Sequence, residues 1–100
     1  MKIRIDFSLF ASPTDAYGNV TGLLELPNTP QIGDRITLAG HEFRVEHVNH
    51  FDFEFAGLKG GDAKGISIGL DDLVLTSRGE AKEFASRLER ETGLMCDEYE

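Results

Sequence analysis

Three histidines close together are the first residues in this sequence whose chemistry stands out. His41, His47 and His50 lie within ten residues, and Asp52 and Glu54 follow His50 at alternate positions. Alternate residues of a β-strand share one face, and imidazole and carboxylate groups are common ligands of Zn²⁺. The pattern gives one candidate function, a small metal-dependent hydrolase that uses His47, His50 and Asp52.

The spacing of these histidines argues against a metal centre. His47 and His50 are three positions apart, so on a regular strand they point to opposite faces. No cysteine lies near them, and specific metal motifs usually show two closely spaced pairs of ligands rather than one loose cluster. We therefore predict that the chain binds no metal ion and no other cofactor.

Other chemically capable residues lack the partners that catalysis requires. Asp71 and Asp72 are neighbours that point to opposite faces of a strand, which makes them a poor acid–base pair. Cys96 lies in an acidic segment, and nearby negative charge raises the pKa of a thiol and weakens it as a nucleophile. Residues 59–65 are rich in glycine and lysine but lack the spacing of a phosphate-binding loop. We predict no catalytic residue and a protein that is not an enzyme.

Three phenylalanines at alternate positions form the most distinctive pattern in the sequence. Phe51, Phe53 and Phe55 share one face of a strand, and Asp52 and Glu54 fall on the other. Aromatic side chains contribute strongly to small cores, so the stripe can be core. On an edge strand the same residues would form a binding strip with an acidic rim, as in many protein interfaces. Both interpretations stay open, and these five are the predicted binding residues.

The composition restricts the class of partner. The chain has 100 residues, with 18 acidic and 10 basic side chains and a formal net charge of −8. Proteins that bind nucleic acid or an anionic membrane need an excess of Lys and Arg, so we expect neither partner. A basic protein partner is favoured, because charge complementarity accelerates association. The 40% of hydrophobic residues suffices for one modest core, so we predict a single domain over residues 1–100.

Residue usage also indicates the compartment. The first residues alternate between apolar and polar types, so we expect no secretory signal. No apolar run is long enough to cross a bilayer. The single cysteine, Cys96, excludes an internal disulfide and fits a reducing environment. We predict a cytoplasmic protein.

Alternation at the N-terminus predicts the first strand. Its apolar side chains share one face: Ile3, Ile5, Phe7 and Leu9. Residues 11–18 contain Pro, Asp and Gly and predict a loop. A second strand follows over residues 20–26, where Gly22 predicts a bulge or a sharp bend.

Two short strands on either side of Gly40 predict a hairpin. Val45 and Val48 are three positions apart, so a one-residue bulge near Glu46–His47 would return Val48 to the core. A further strand is predicted over residues 66–70, where apolar side chains alternate again.

Near the C-terminus the apolar residues take the period of a helix. They lie at positions i, i+3, i+4 and i+7: Ala81, Phe84, Ala85 and Leu88. Ser77 and Glu80 predict a capping box, and Gly93 can end the helix in the left-handed conformation. The helix should cover about residues 78–92, and an acidic, frayed tail should follow over residues 95–100.

Strands over about residues 2–75 followed by one helix define an α+β fold. Short strands separated by Gly and Pro usually form a curled sheet. We therefore predict a small curled antiparallel β-barrel or strongly bent sheet of five to six strands, with one C-terminal amphipathic helix over an open end or one face.

Residues 30–48 resemble a recurring part of SH3-like small β-barrels, including those of bacteria and their phages. The shared features are a Pro-x-x-Gly-Asp turn beginning at Pro30, a glycine turn at Gly40, and an aromatic-x-Val-x-x-Val strand from Phe43 to Val48. The resemblance covers about a fifth of the chain and indicates no specific family. It implies a barrel and no particular function, since small barrels have many functions.

The function that these observations favour is a non-enzymatic protein-binding module with an acidic surface: an adaptor, inhibitor or assembly component. An open strand edge could also pair with a second copy and give a homo-oligomer. The alternative from another class is the metal-dependent hydrolase built on His47, His50 and Asp52.

Overall fold

The computed structural model of the chain describes residues 2–52 and 64–99, which form an α+β fold. They form seven strands and one helix: β1 (Lys2–Ser12), β2 (Asp15–Glu25), β3 (Arg35–Leu38), β4 (His41–Asp52), β5 (Lys64–Leu70), β6 (Leu73–Val74), α1 (Arg78–Thr92) and β7 (Met95–Glu98). The predicted α+β class with a C-terminal helix is confirmed. In these two ranges α1 is the only helix, and it is too short and too polar to cross a membrane.

The strands form one mixed sheet with β1 near its centre. The order is β3-β4-β5-β1-β2-β7, and β6 pairs with β1. β5 and β6 run parallel to β1, whereas the other pairs are antiparallel. The prediction of five to six antiparallel strands is wrong in these respects, because alternation identifies a strand but not the direction of its neighbour. Among the described strands no pairing joins β3 to β7, so the sheet is open.

The apolar face of β1 forms the centre of the core, as predicted. Ile3, Ile5 and Leu9 are inaccessible to solvent. α1 packs against this core and buries Ala81 and Leu88 in it. A helix of 15 residues is only marginally stable alone in water, so this packing is what stabilises it.

A β-bulge at Tyr17 lies in the hairpin of β1 and β2. The register shifts by one residue after the Leu9–Gly18 pair, which leaves Tyr17 without a partner on β1 and turns its ring into the core. Only the turn at Pro13–Thr14 separates the two strands. The predicted loop over residues 11–18 is therefore wrong, because the bulge interrupts the two-residue period that would have revealed the strand.

A second bulge bends β4 where the sequence predicted it. The register of β4 on β5 shifts just after Val45, so Glu46 is the extra residue and Val48 packs against the core. Before the bulge, β4 pairs with β3, and the ring of Phe43 lies 4.5 Å from that of Phe7 in β1. The β3–β4 hairpin therefore covers the same core as α1.

The C-terminal residues form a strand instead of the predicted frayed tail. Met95–Glu98 pairs antiparallel with β2. A Cβ atom at Gly18 would lie only 2.5 Å from the Asp97 carbonyl oxygen, and a Cβ atom at Gly22 only 2.7 Å from Leu94 Cδ2. Gly22 therefore permits a close approach and is not the predicted bulge, since the register on β1 continues past it.

α1 begins and ends at the predicted residues. Ser77 Oγ accepts a hydrogen bond from the Glu80 N–H at 3.1 Å. The Glu80 carboxylate binds the N–H and hydroxyl of Thr76, so the reciprocal half of the predicted capping box is shifted by one residue. Gly93 ends the helix with φ 80° and donates its N–H to the Glu89 carbonyl.

The close approach of β7 to β2 predicts that Gly18 tolerates no side chain. Gly18→Ala should lower the free energy of unfolding by about 1–3 kcal/mol, because backbone and the Cys96 sulfur occupy the space of the new methyl group. Gly79→Ala is the matched control: the added atom meets nothing closer than 3.9 Å, and helix propensity favours Ala by up to about 1 kcal/mol. Urea denaturation of the two variants measures both effects, and equal stability of the two would contradict the strand assignment.

The helix interface predicts unequal costs for two truncations. Leu88→Ala should cost about 2–5 kcal/mol of stability, because Leu88 is fully buried against the core. Phe84→Ala should cost less than the ~3–5 kcal/mol of a fully buried ring, because Phe84 is only half-buried at the helix surface. Thermal unfolding of both variants tests the order, and a larger loss in the Phe84 variant would reverse it.

Candidate functional site

The predicted phenylalanine stripe lies largely outside the described residues. The backbone of Phe51 and Asp52 lies at the end of β4 and pairs with the start of β5. Phe53, Glu54 and Phe55 fall beyond the described ranges. The assignment of these five as binding residues therefore stays a prediction.

The three histidines are not brought together. From His47 onward the register of β4 is unbroken, so His47 and His50 lie on opposite faces of the strand. His47 covers Gly69 of β5, while His41 packs edge-on against the ring of Phe43 with their centroids 4.6 Å apart. Within residues 2–52 and 64–99, no group of three or more His, Cys, Asp or Glu side chains could hold a metal ion.

Asp71 and Asp72 follow directly after the end of β5. Asp71 Oδ1 accepts from the Arg44 N–H at 2.9 Å, and the Asp71 N–H donates to the Arg44 carbonyl at 3.0 Å. These two bonds tie β4 to the end of β5, so Asp71 has a structural role, while Asp72 is exposed. Residues 59–63 of the glycine-rich segment lie outside the described ranges.

A groove of about 330 Å³ lies between α1 and the edge of the sheet. Its helical wall consists of side chains at i, i+3, i+4 and i+7: Lys82, Ala85, Ser86 and Glu89. Its other wall comes from β2 and β7: Tyr17, Cys96 and Glu98. Two carboxylates and one ammonium group line it, so the groove carries net negative charge.

Tyr17 links the elements around this groove. Its hydroxyl donates a hydrogen bond to Glu98 Oε1, and the Arg78 guanidinium lies 5.2 Å from the centre of its ring. Arg78 also binds both carboxylate oxygens of Asp15, at 3.1 and 3.2 Å. Burial, the hydrogen bond to Glu98 and neighbouring negative charge raise the pKa of Tyr17 to about 12, against the lowering effect of Arg78. The phenol therefore stays protonated and holds β7 as a donor.

Cys96 lies in the same groove and is half-buried. Its burial, followed by the charges of Glu98 and Asp97, raises the pKa of the thiol. The direction agrees with the prediction from the acidic surroundings. A raised pKa makes a thiol a weaker nucleophile, so we interpret Cys96 as part of the surface of the groove.

The outer edge of β7 presents backbone groups that no described strand pairs. The Tyr99 N–H donates to the Tyr17 carbonyl at 2.9 Å, which makes Tyr17 and Tyr99 a hydrogen-bonded pair. Such pairs alternate with non-bonded pairs along an antiparallel ladder, so Cys96 and Glu98 point their N–H and C=O groups away from β2. No described strand pairs with this side of β7. With respect to residues 2–52 and 64–99, these groups can accept another strand.

An exposed apolar pair lies next to this edge. Met95 is 61% exposed and Leu23 is 56% exposed. Met95 pairs with Thr21, and Leu23 is the next residue of β2 on the same face, so the two side chains are diagonal neighbours. The edge of β7 therefore combines backbone donors and acceptors with apolar surface on one face and the acidic groove on the other.

The sequence did not reveal this site, because the site depends on backbone conformation rather than on a side-chain pattern. Four residues of mixed polarity give no strand pattern at 95–98, and Tyr17 lay in an expected loop. One signal was present: Gly18 and Gly22 are four residues apart in one strand, and glycine within a strand often marks the close approach of another backbone.

Comparisons of the chain with protein-family models, with curated proteins and with solved structures find no match. The resemblance to small barrels therefore remains local, with no specific family attached to it.

The link between Tyr17 and Glu98 predicts how stability depends on pH. Because the pKa of Tyr17 is raised from 10.0 to about 12 in the folded chain, its contribution is complete below pH 10 and is lost as the pH rises through 12. Tyr17→Phe should remove this alkaline loss and, at neutral pH, cost about 1–3 kcal/mol for the lost bond to a carboxylate.

Tyr99→Phe is the matched control, because Tyr99 is an exposed tyrosine on the same segment. Its stability should follow the unmodified chain at every pH. Urea titrations from pH 8 to pH 12 would contradict the assignment if both variants lost stability in parallel above pH 10.

Proposed function

We propose that this chain is a non-enzymatic protein-binding module of the cytoplasm, acting as an adaptor, inhibitor or assembly component. The observation that carries the proposal is the edge of β7, where unpaired backbone groups lie between an acidic groove and the exposed Leu23–Met95 pair. Sheet edges of this kind bind extended segments of other proteins by adding them as strands.

The charge distribution supports a basic partner. Glu89 and Glu98 line the groove, and Asp97 is exposed on the opposite face of β7. The chain as a whole carries a formal charge of −8. Complementary charge on a partner would increase the association rate and disfavour acidic competitors.

The scaffold that we propose is a strongly curled sheet, similar to the SH3-like small barrels that residues 30–48 resemble. Two features support it: bulges at Tyr17 and Glu46 bend β2 and β4, and Phe43 reaches Phe7 across the core. A curled sheet that remains open retains two edges, β3 and β7, of which β7 has the groove beside it.

Partner capture followed by a salt titration tests the proposed function. The untagged chain, immobilised at its N-terminus, should retain one protein partner from cells that produce it, and the purified pair should form a stoichiometric complex by calorimetry. Raising the salt from about 0.05 M to about 0.3 M should weaken the complex several-fold, because exposed charges are screened at such concentrations.

Two results would contradict the proposal. A complex whose affinity is indifferent to salt would remove the argument from charge. Stoichiometric Zn²⁺ in protein purified without a histidine tag, lost in a His50→Ala variant, would favour the hydrolase instead.

A further inference from the structure

We propose that β7 binds a partner segment as an added antiparallel strand. From its N-terminal to its C-terminal end, this segment has two basic side chains followed by two apolar side chains. The inference rests on the proposed function and specifies the partner's chemistry. It follows from the backbone register of β7, from the side chains on its two faces, and from the groove beside it.

The backbone of β7 fixes where the added strand would bond. Cys96 and Glu98 direct their N–H and C=O groups to the open edge, while Asp97 is turned toward Asn19 of β2. An antiparallel partner would therefore form its hydrogen-bonded pairs opposite Cys96 and Glu98. We favour the antiparallel direction because that ladder is slightly more stable per residue.

The side chains of β7 determine which residue type is favoured at each position of the partner strand. One basic residue is favoured opposite Glu98 and another opposite Asp97, since directly opposed charges of unlike sign stabilise a strand pair. Tyr17 occupies Glu98 Oε1, which leaves Oε2 for the basic residue. Opposite Cys96, an apolar side chain would enter the groove of about 330 Å³, and opposite Met95 another would cover the exposed Met95 side chain. Because the strands are antiparallel, the two basic residues precede the two apolar residues in the sequence of the partner.

A second copy of the chain fits this edge poorly. The antiparallel pairing that uses the outward groups of both Cys96 and Glu98 places each Asp97 directly opposite the Asp97 of the other copy. Like charges directly opposite are destabilising. A partner with basic residues at these positions replaces that repulsion with attraction.

A synthetic peptide in which Lys-Lys-Val-Val is flanked by threonines tests the inference on the full chain. It should bind, and a matched Glu-Glu-Val-Val peptide should bind at least about tenfold more weakly. N-methylation at the first valine, whose N–H would bond to Cys96, should abolish binding. N-methylation at the second lysine, whose N–H points away from β7, should leave it unchanged.

A charge reversal provides the complementary test. Asp97→Lys should weaken the lysine peptide and strengthen the glutamate peptide. Glu46→Lys is the matched control, because Glu46 is an exposed acid in the bulge of β4, outside the groove and β7. It should leave both affinities nearly unchanged, and equal effects of the two variants would overturn the inference.

Amide hydrogen exchange identifies the mode of binding. The peptide should slow exchange at Cys96 and Glu98 and leave Asp97, already bonded within the sheet, unaffected. If the two N-methylated peptides bind equally, or if Cys96 and Glu98 are not protected, strand addition is wrong. If the captured partner still binds the Asp97→Lys variant and the affinity still depends on salt, the proposed protein-binding function is retained and the assignment of this site is wrong.

Discussion

The close approach of the C-terminal segment to β2 is the contact on which the candidate site depends. At Gly18 and Gly22 there is no space for even one further carbon atom, because the Asp97 carbonyl and the Leu94 side chain occupy it. The two glycines permit this approach because they have no Cβ atom. With a Cβ atom at either position, β7 and the residue that connects it to α1 could not lie at these distances from the sheet.

This approach also positions the helix. Gly93 reverses the chain at the end of α1, and Leu94 enters the core one residue later. The helix is therefore attached at one end to a residue that β2 holds, and along its length by Ala81 and Leu88. A groove remains between helix and strand because the helix side chains that face it are short or polar at Ala85 and Ser86.

The sequence predicted those parts of the fold that a periodic side-chain pattern determines. The inward face of β1, the bulge at Glu46 and the bounds of α1 follow from periods of 2 and 3.6, and from the positions where those periods break. The pattern failed at Tyr17, because a bulge there turns an aromatic ring inward within an apparent loop. It failed again at β7, where backbone hydrogen bonds rather than apolar contacts hold the strand. The candidate site consists mainly of these two exceptions, so the sequence predicted an acidic surface but not the strand edge that we propose as the binding site.

The acidic residues of β7 disfavour pairing of its open edge with a second copy of the chain. An unpaired strand edge is a liability, since any other edge strand can pair with it. Asp97 projects from the middle of the strand, and Glu98 follows it on the opposite face, so self-pairing would bring like charges together. The same two carboxylates attract a strand of opposite charge. Under the proposed function, charge that folding does not require gains a role, because it selects the strand that completes the sheet.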